Sequence, residues 1–254
     1  TFTGFNLFNS KGIRNERHHN VTIKNCGLKD YIAGIYFLNV KDSKIINNNF
    51  TSNDYGVYVY ADPFHNSSIN ITNNTITTGT GGSRGIYFYK GNNNTIVDNT
   101  FYVDSTAVGI YTYKGTNNLI KNNYFEPVLG VSSSDGINLG YSDNNIIINN
   151  TLVITRNSIF LRASSNNLIQ DNNLTSIDES DPSDQCVYCL TGSNNNLFLR
   201  NDVGLLCSGG YWFSSSTNNT IQDTSIDVAG LGRSAVTSVI YSSVSLTNVT
   251  SISA

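Results

Sequence analysis

A short phrase returns along this chain: a polar turn, then a β-branched strand with a further Asn behind it. It reads Asn70-Ile71-Thr72-Asn73-Asn74-Thr75-Ile76 in one place and Asn118-Leu119-Ile120-Lys121-Asn122-Asn123-Tyr124-Phe125 in another. Aligning the first apolar anchor of each phrase gives Ile23, Ile45, Ile71, Ile96, Ile120, Ile147, Ile169, Phe198, Ile221 and Leu246. The steps run from about 22 to 29 residues, the range of a solenoid repeat. A second phrase keeps step. Ten residues before most anchors stands an apolar residue preceded by Gly, as in Gly12-Ile13, Gly34-Ile35, Gly85-Ile86, Gly109-Ile110 and Gly136-Ile137. Gly56-Val57 is displaced from its anchor by the insertion Ala61 to Ser68.

Within each repeat the apolar positions alternate. Gly85 to Phe88 reads as a strand with Ile86 and Phe88 inward and Tyr87 outward. Ile96 and Phe101 bracket a corner between two more short strands. Three short strands per repeat, separated by Asn and Gly turns, predict one rung of a parallel β-helix, and no helical period of 3.6 is present. The Asn pairs after the anchors (Asn47-Asn48, Asn73-Asn74, Asn122-Asn123, Asn149-Asn150) are expected to turn that corner, because Asn tolerates the left-handed conformation. Their stacked amides can also bond from rung to rung.

This Gly-Ile-Tyr then Asn-Asn-Thr-Ile-x-x-Asn-x-Phe pattern resembles the right-handed parallel β-helix repeats of pectin-lyase-like proteins. It is most similar to the NosD-like repeats of periplasmic and archaeal cell-surface proteins. The resemblance spans about Gly12 to Asn248 and implies an all-β, right-handed, single-stranded β-helix of about ten coils. It also implies a rod on the order of 45–50 Å long at ~4.8 Å per rung. One elongated domain, residues 1–254, is the expected organisation. The chain has no Met and begins at Thr1, which points to a processed protein or an excised part of a larger one.

Composition excludes several functions. Hydrophobic residues make up 39% and charged residues 13%, so the chain has a core to bury. A net charge of −3 gives no basic footprint for nucleic acid. No apolar run is long enough to span a bilayer. The low charge and Ser/Thr/Asn-rich surface favour an extracellular or cell-surface home. There the Asn-x-Ser/Thr sequons at Asn20, Asn49, Asn66, Asn70, Asn73, Asn93, Asn149, Asn173, Asn218 and Asn248 would be glycan acceptors. An Asn/Thr-rich repeat also creates sequons automatically.

Two weak catalytic constellations stand out. Ser134-Asp135-Gly136-Ile137 resembles a polysaccharide-hydrolase signature, without its companion Asp pair or Gly-His-Gly. The plainer reading has Asp135 end a turn. Tyr60-Ala61-Asp62-Pro63-Phe64-His65 is similar to the Tyr…Asp-Pro-His motif of alginate epimerases and related lyases, but Phe64 intrudes. Acid–base work there would need His65 beside Tyr60 or Asp62. His18 and His19 lie in the turn before Asn20 and are expected to face solvent. Asp178, Glu179, Asp181 and Asp184 offer oxygens for Ca²⁺ but lack the spacing of a known calcium loop, so a solvated acidic loop is the plainer reading. No other cofactor is expected. Cys186-x-x-Cys189 has no second pair for zinc. A Cys186–Cys207 disulfide one rung apart is expected, with Cys189 inward and Cys26 unpaired.

An outward column remains. Tyr36, Tyr58, Tyr87, Tyr111, Phe160, Tyr188 and Trp212 hold one position of the Gly-Ile strand on successive rungs, interrupted by Asn138. Tyr60, Tyr89 and Tyr113 stand two residues on, followed in the last two by Lys90 and Lys114. Aromatic stacking on an exposed sheet accounts for part of this. A ribbon this long exceeds what a monomer leaves bare. The sequence therefore points to a non-catalytic structural or adhesive β-helix, a subunit of a surface layer or filament. Its partners would be neighbouring subunits or further copies of itself. A polysaccharide lyase, epimerase or hydrolase, or a glycan-binding module using the Tyr column, is the alternative.

Overall fold

A computed structural model describes residues 2–3, 9–62, 66–130, 133–176, 185–204, 207, 209–227, 234–239 and 241–252. The chain winds as an all-β, right-handed parallel β-helix. Each coil contributes one strand to each of three parallel sheets, and every strand pairs with its equivalents one coil away. Sheet 1 carries the Gly-Ile strands, from Lys11–Glu16 through Tyr55–Tyr60, Arg84–Tyr89, Val108–Tyr113, Asp135–Gly140 and Ile159–Arg162 to Ser234–Val239. Sheet 2 carries the anchors, from Thr22–Lys24 to Val244–Thr247, and sheet 3 follows the Asn corner, from Phe2–Thr3 to Thr250–Ile252.

Strand register converts the sequence period into vertical columns. Ile23, Ile45, Ile71, Ile96, Ile120, Ile147, Ile169, Phe198, Ile221 and Leu246 pair in unbroken succession. All but Leu246 are buried. Sheet 3 adds a matching column that includes Phe50, Ile76, Phe101, Phe125 and Leu152, in which Phe101 and Phe125 stack with ring centroids 4.5 Å apart.

This column explains the Gly of the Gly-Ile phrase. A Cβ on Gly109 would sit 2.6 Å from a ring carbon of Phe125 and 2.9 Å from the Gly136 carbonyl oxygen. Gly85 meets Phe101 in the same way, and Gly34 meets Phe50. The glycines are there because sheet-3 side chains, ring or aliphatic, reach across the core onto the sheet-1 backbone, and the carbonyl of the adjacent strand approaches equally closely.

The corners correct the reading of the Asn pairs. The two residues divide the work. The first takes a left-handed φ and faces solvent: Asn47, Asn73, Asp98, Asn122 and Asn149 lie between 54° and 56°. The second turns inward, where Asn48, Asn74, Asn99, Asn123, Asn150, Asn172 and Asn201 form a buried ladder. From Asn48 to Asn172, each Nδ2 donates to the Oδ1 of the next rung at 2.9–3.0 Å. That Oδ1 also accepts the backbone N–H of the preceding rung's Asn, as Asn123 Oδ1 does from Asn99. A buried corner cannot leave backbone groups unpaired, and the amide supplies both a donor and an acceptor there.

A second ladder stands at the corner between sheets 1 and 2. Asn93, Asn117, Asn144 and Asn166 take the left-handed conformation, and the following Asn94, Asn118, Asn145 and Asn167 link rung to rung at 2.9–3.1 Å.

Candidate functional site

The outward residues of sheet 1 form the most distinctive surface. Tyr36, Tyr58, Tyr87 and Tyr111 are in register on four successive coils, with consecutive ring centroids 5.3, 5.0 and 5.3 Å apart. Tyr60, Tyr89 and Tyr113 make a parallel stack at 5.0 and 5.5 Å. Beyond Asn138 the first column resumes with Phe160, Tyr188 and Trp212 at 5.4 and 6.3 Å. The rings are half-buried against one another.

Two residues missed in the sequence complete the face. Tyr55 occupies a third outward position, with its ring 5.1 Å from Tyr58 and 5.6 Å from Tyr87. Arg84, in register with Tyr55, lays its guanidinium 4.7 Å from the centre of Tyr87 and 4.8 Å from that of Tyr111, and donates to the Tyr55 hydroxyl at 3.2 Å. The position two places before the inward aliphatic residue varies from rung to rung (Lys11, Ala33, Tyr55, Arg84, Val108), so no repeating signal marks it in the sequence. Lys11, Lys90 and Lys114 lie over Tyr36, Tyr89 and Tyr113. The face is thus aromatic with a cationic fringe, and cation–π contacts hold the fringe in place.

Packing raises the phenol pKa values. Burial is the main cause at Tyr58, with the neighbouring tyrosines adding to it. Tyr87 is pushed up to about 12 by burial, against the opposing pull of Arg84. Tyr36 and Tyr111 shift upward mainly by burial as well. At neutral pH these hydroxyls are protonated and can donate hydrogen bonds.

The catalytic candidates do not come together into one groove among the described residues. Asp135 follows the bend at Ser133, opens a sheet-1 strand and is almost fully buried. Its carboxylate pairs with Arg156 from the next coil, accepting Nε at 2.6 Å and a further bond from Nη2. It also accepts from Asn157 N–H and Nδ2, each at 3.2 Å, and from Asn138 Nδ2 at 2.9 Å. A carboxylate so fully engaged holds two coils together and has no lone pair left for a substrate. Asp62 exchanges hydrogen bonds with Asn39, accepting Nδ2 at 2.9 Å and donating its N–H at 2.8 Å. Tyr60 lies in the second aromatic stack. His65 falls outside the described residues, as do Asp178, Glu179, Asp181 and Asp184 of the acidic insertion.

The sequon residues stand at the surface, with Asn70 half-buried and the other nine exposed. Cys186 and Cys207 are joined as a disulfide with Cα atoms 5.6 Å apart. Cys189 is buried in the core and Cys26 is half-exposed, both as free thiols.

A family model described as "Periplasmic copper-binding protein (NosD)" matches residues 1–131, just over half of the 254-residue chain. The chain belongs to the NosD family. A second model, "Right handed beta helix region", matches residues 85–186. Comparison with curated proteins gives no match.

Solved structures share the fold. One is PfbA, a surface adhesin of Streptococcus pneumoniae (TM-score 0.63, 14% identity, 93% of this chain and 62% of that one). Another is the periplasmic alginate epimerase AlgG (TM-score 0.57, 14% identity, 94% and 76%). A third is an exopolygalacturonase from Thermotoga maritima (TM-score 0.53, 11% identity, 86% and 54%). The chain spans less than two thirds of the adhesin and of the exopolygalacturonase, and at these identities the likeness shows the fold alone.

The copper named in the family description finds no matching donor set among the described residues. Copper favours imidazole, thiolate and thioether ligands. The sequence has no Met and three His. His18 and His19 are adjacent on an exposed turn, where His19 Nδ1 accepts from the Lys41 N–H at 3.3 Å. The Cys189 thiol is pushed up by burial, which disfavours the thiolate. Among the described residues no three His, Cys, Asp or Glu side chains converge. Among the described residues no helix is long and apolar enough to cross a membrane.

Proposed function

We propose that this chain is a non-catalytic β-helix of the cell exterior, and that the aromatic face of sheet 1 is its contact surface. The observation that carries this is the Tyr36–Tyr58–Tyr87–Tyr111 column with Tyr60–Tyr89–Tyr113 beside it. Exposed aromatic pairs each add ~0.5–1.5 kcal/mol to stability, which explains part of the stack. It does not explain a ribbon several coils long edged with Lys and Arg. Aromatic residues and Arg are enriched where proteins meet partners, and the stacked rings are already rigid, so little entropy is lost on contact. The rod presents this surface to neighbouring subunits or to glycans as an adhesive element. Acid–base catalysis is disfavoured by the ties of Asp135 to Arg156 and of Asp62 to Asn39. The family description and the adhesin sharing the fold support a location outside the cytoplasm.

The test is a Tyr58→Ser/Tyr87→Ser double variant compared with the native chain. Self-association is read by sedimentation, and retention by glycan-coated surfaces is read beside it. At least a tenfold loss in one or both is expected, with an unchanged circular dichroism spectrum. Unaltered association and retention would overturn the reading, as would release of reducing ends or unsaturated sugars from a polysaccharide.

A further inference from the structure

The first aromatic column has one missing member, and the gap is a shaped site. Asn138 occupies the place of a ring between Tyr111 and Phe160, and Gly140 occupies the corresponding place beyond Tyr113. Two coils separate Tyr111 from Phe160, a spacing of roughly 9–10 Å at ~4.8 Å per rung. That leaves room for one flat or chair-shaped ring at the stacking distance used elsewhere in the column. The resulting notch holds about 240 Å³. It is smaller than the ~300–1,000 Å³ of pockets that enclose a drug-sized ligand, so it suits a single unit of a longer chain.

Its walls are specific. Tyr111 and Tyr113 stand on one side with Tyr141, whose ring meets Tyr113 edge-on at 5.5 Å. Phe160 and Arg162 stand on the other, and Arg84 closes one end. Neither guanidinium has a carboxylate within ion-pair distance among the described residues. Both bear on Tyr111, each favouring its phenolate against the effect of burial. Asp135, which holds the Asn138 amide, is paired with Arg156.

Asn138, at the floor, is 8% exposed. Its Nδ2 is committed to the Asp135 carboxyl at 2.9 Å, which fixes the orientation of the amide. Its Oδ1 is buried and has no partner. An unpaired buried acceptor is costly, and such groups in native proteins call for an explanation.

We infer that the notch is a subsite for one sugar ring bearing an anionic group. The ring takes the missing place between Tyr111 and Phe160, its charge meets Arg162 and Arg84, and a ring hydroxyl donates to Asn138 Oδ1. Sugar rings offer C–H faces to aromatic walls and hydroxyls to amide acceptors, and Arg recognises both carboxylate and sulfate oxygens. Gly140 is what keeps the site open. A Cβ there would lie 3.1 Å from the Tyr111 hydroxyl, on the notch side of the sheet and away from the core. The inference rests on sheet 1 being a contact face, and it adds the class of ligand.

The experiment is calorimetric titration of the full chain with three tetrasaccharides: carboxylated hyaluronan, sulfated carrageenan and neutral cellotetraose. The first two separate a carboxylate from a sulfate as the source of charge. At least one anionic probe is expected to bind tenfold or more tightly than cellotetraose, and to weaken as salt rises. Arg162→Gln should cost that probe at least tenfold and Gly140→Val should abolish its binding, while Lys44→Gln, which removes an exposed cation of sheet 2 outside the contact face, changes it less than twofold.

Equal or weaker binding of both anionic probes relative to cellotetraose overturns the inference. So does anionic binding that survives Gly140→Val. The two proposals fail separately. Loss of surface retention in Tyr58→Ser/Tyr87→Ser without any anionic binding sinks the notch alone. Anionic binding that is lost in Gly140→Val, with retention and association indifferent to the Tyr pair, sinks the wider contact face and upholds the notch.

Discussion

Asn123→Ala is expected to destabilise the rod by about 3–5 kcal/mol, since a buried group left unpaired costs about 1–3 kcal/mol. Asn123 is the middle of the corner ladder. Its Oδ1 accepts the Asn99 N–H and Asn99 Nδ2, and its Nδ2 donates to Ile96 O and Asn150 Oδ1, all at 3.0 Å. Ala leaves the Asn99 N–H and the Ile96 carbonyl without these partners in a corner that water does not reach. The effect should be local at first, because coils in a solenoid are held chiefly by their neighbours. Amide hydrogen exchange should quicken first around Ile96–Asn99 and Asn150, while the coils around Ile35 stay protected. Urea denaturation supplies the magnitude. Asn122→Ala, one residue earlier, is the control. That side chain is exposed and its residue has φ 54°, so the change costs the strain of a left-handed Ala but orphans no buried group.

Gly109→Val should destabilise the rod by about 3 kcal/mol. The new Cβ would fall 2.6 and 2.7 Å from two carbons of the Phe125 ring and 2.9 Å from Gly136 O. Neither can retreat, since Phe125 is stacked on Phe101 and the Gly136 strand is paired on both edges. The account also predicts a compensating pair. In a Phe125→Ala background the side chain facing the glycine is gone, so Gly109→Ala should cost less than it does in the native chain. The difference is a coupling energy of the kind that contacting residues show. Additive costs in thermal or urea denaturation would mean that ring and glycine do not touch.

How much of this was legible in the sequence depends on whether a feature repeats. The anchors, the Gly-Ile phrase and the Tyr column recur, so their stacking could be read directly, and register bears it out at Ile96 and at Tyr87. The division of labour within Asn122-Asn123 could not be read. Two identical side chains differ only in which one the left-handed corner turns inward. The second ladder, through Asn94 and Asn118, was overlooked for a related reason, because in an Asn-rich chain those residues looked like turn filler.

Singular features were the hardest. Asp135 meets Arg156 only because the coil between them is short, and no repeat advertises that pair. Arg84 stands at a position with no repeating character, so its place over Tyr87 and Tyr111 emerged only from three-dimensional stacking. Asn138 was visible merely as an interruption of the Tyr column. That the interruption is a walled notch with an unpaired acceptor follows from the neighbours Phe160 and Tyr141, which lie beyond it along the chain.

The contact face, its notch and both ladders require coil upon coil in strict vertical register, and distances along one column test this most directly. Lys44, Ile146 and Ser245 are all outward-facing in sheet 2 and occupy one register position, four coils apart in each step. Spin labels at Lys44→Cys with Ile146→Cys, and at Lys44→Cys with Ser245→Cys, are read by pulsed electron resonance in a Cys26→Ser background. The account predicts narrow distributions near ~19 Å and ~38 Å, in the ratio of the coil counts at ~4.8 Å each. A Lys44–Ser245 distance no longer than Lys44–Ile146, or one spread broadly over tens of ångströms, would contradict it.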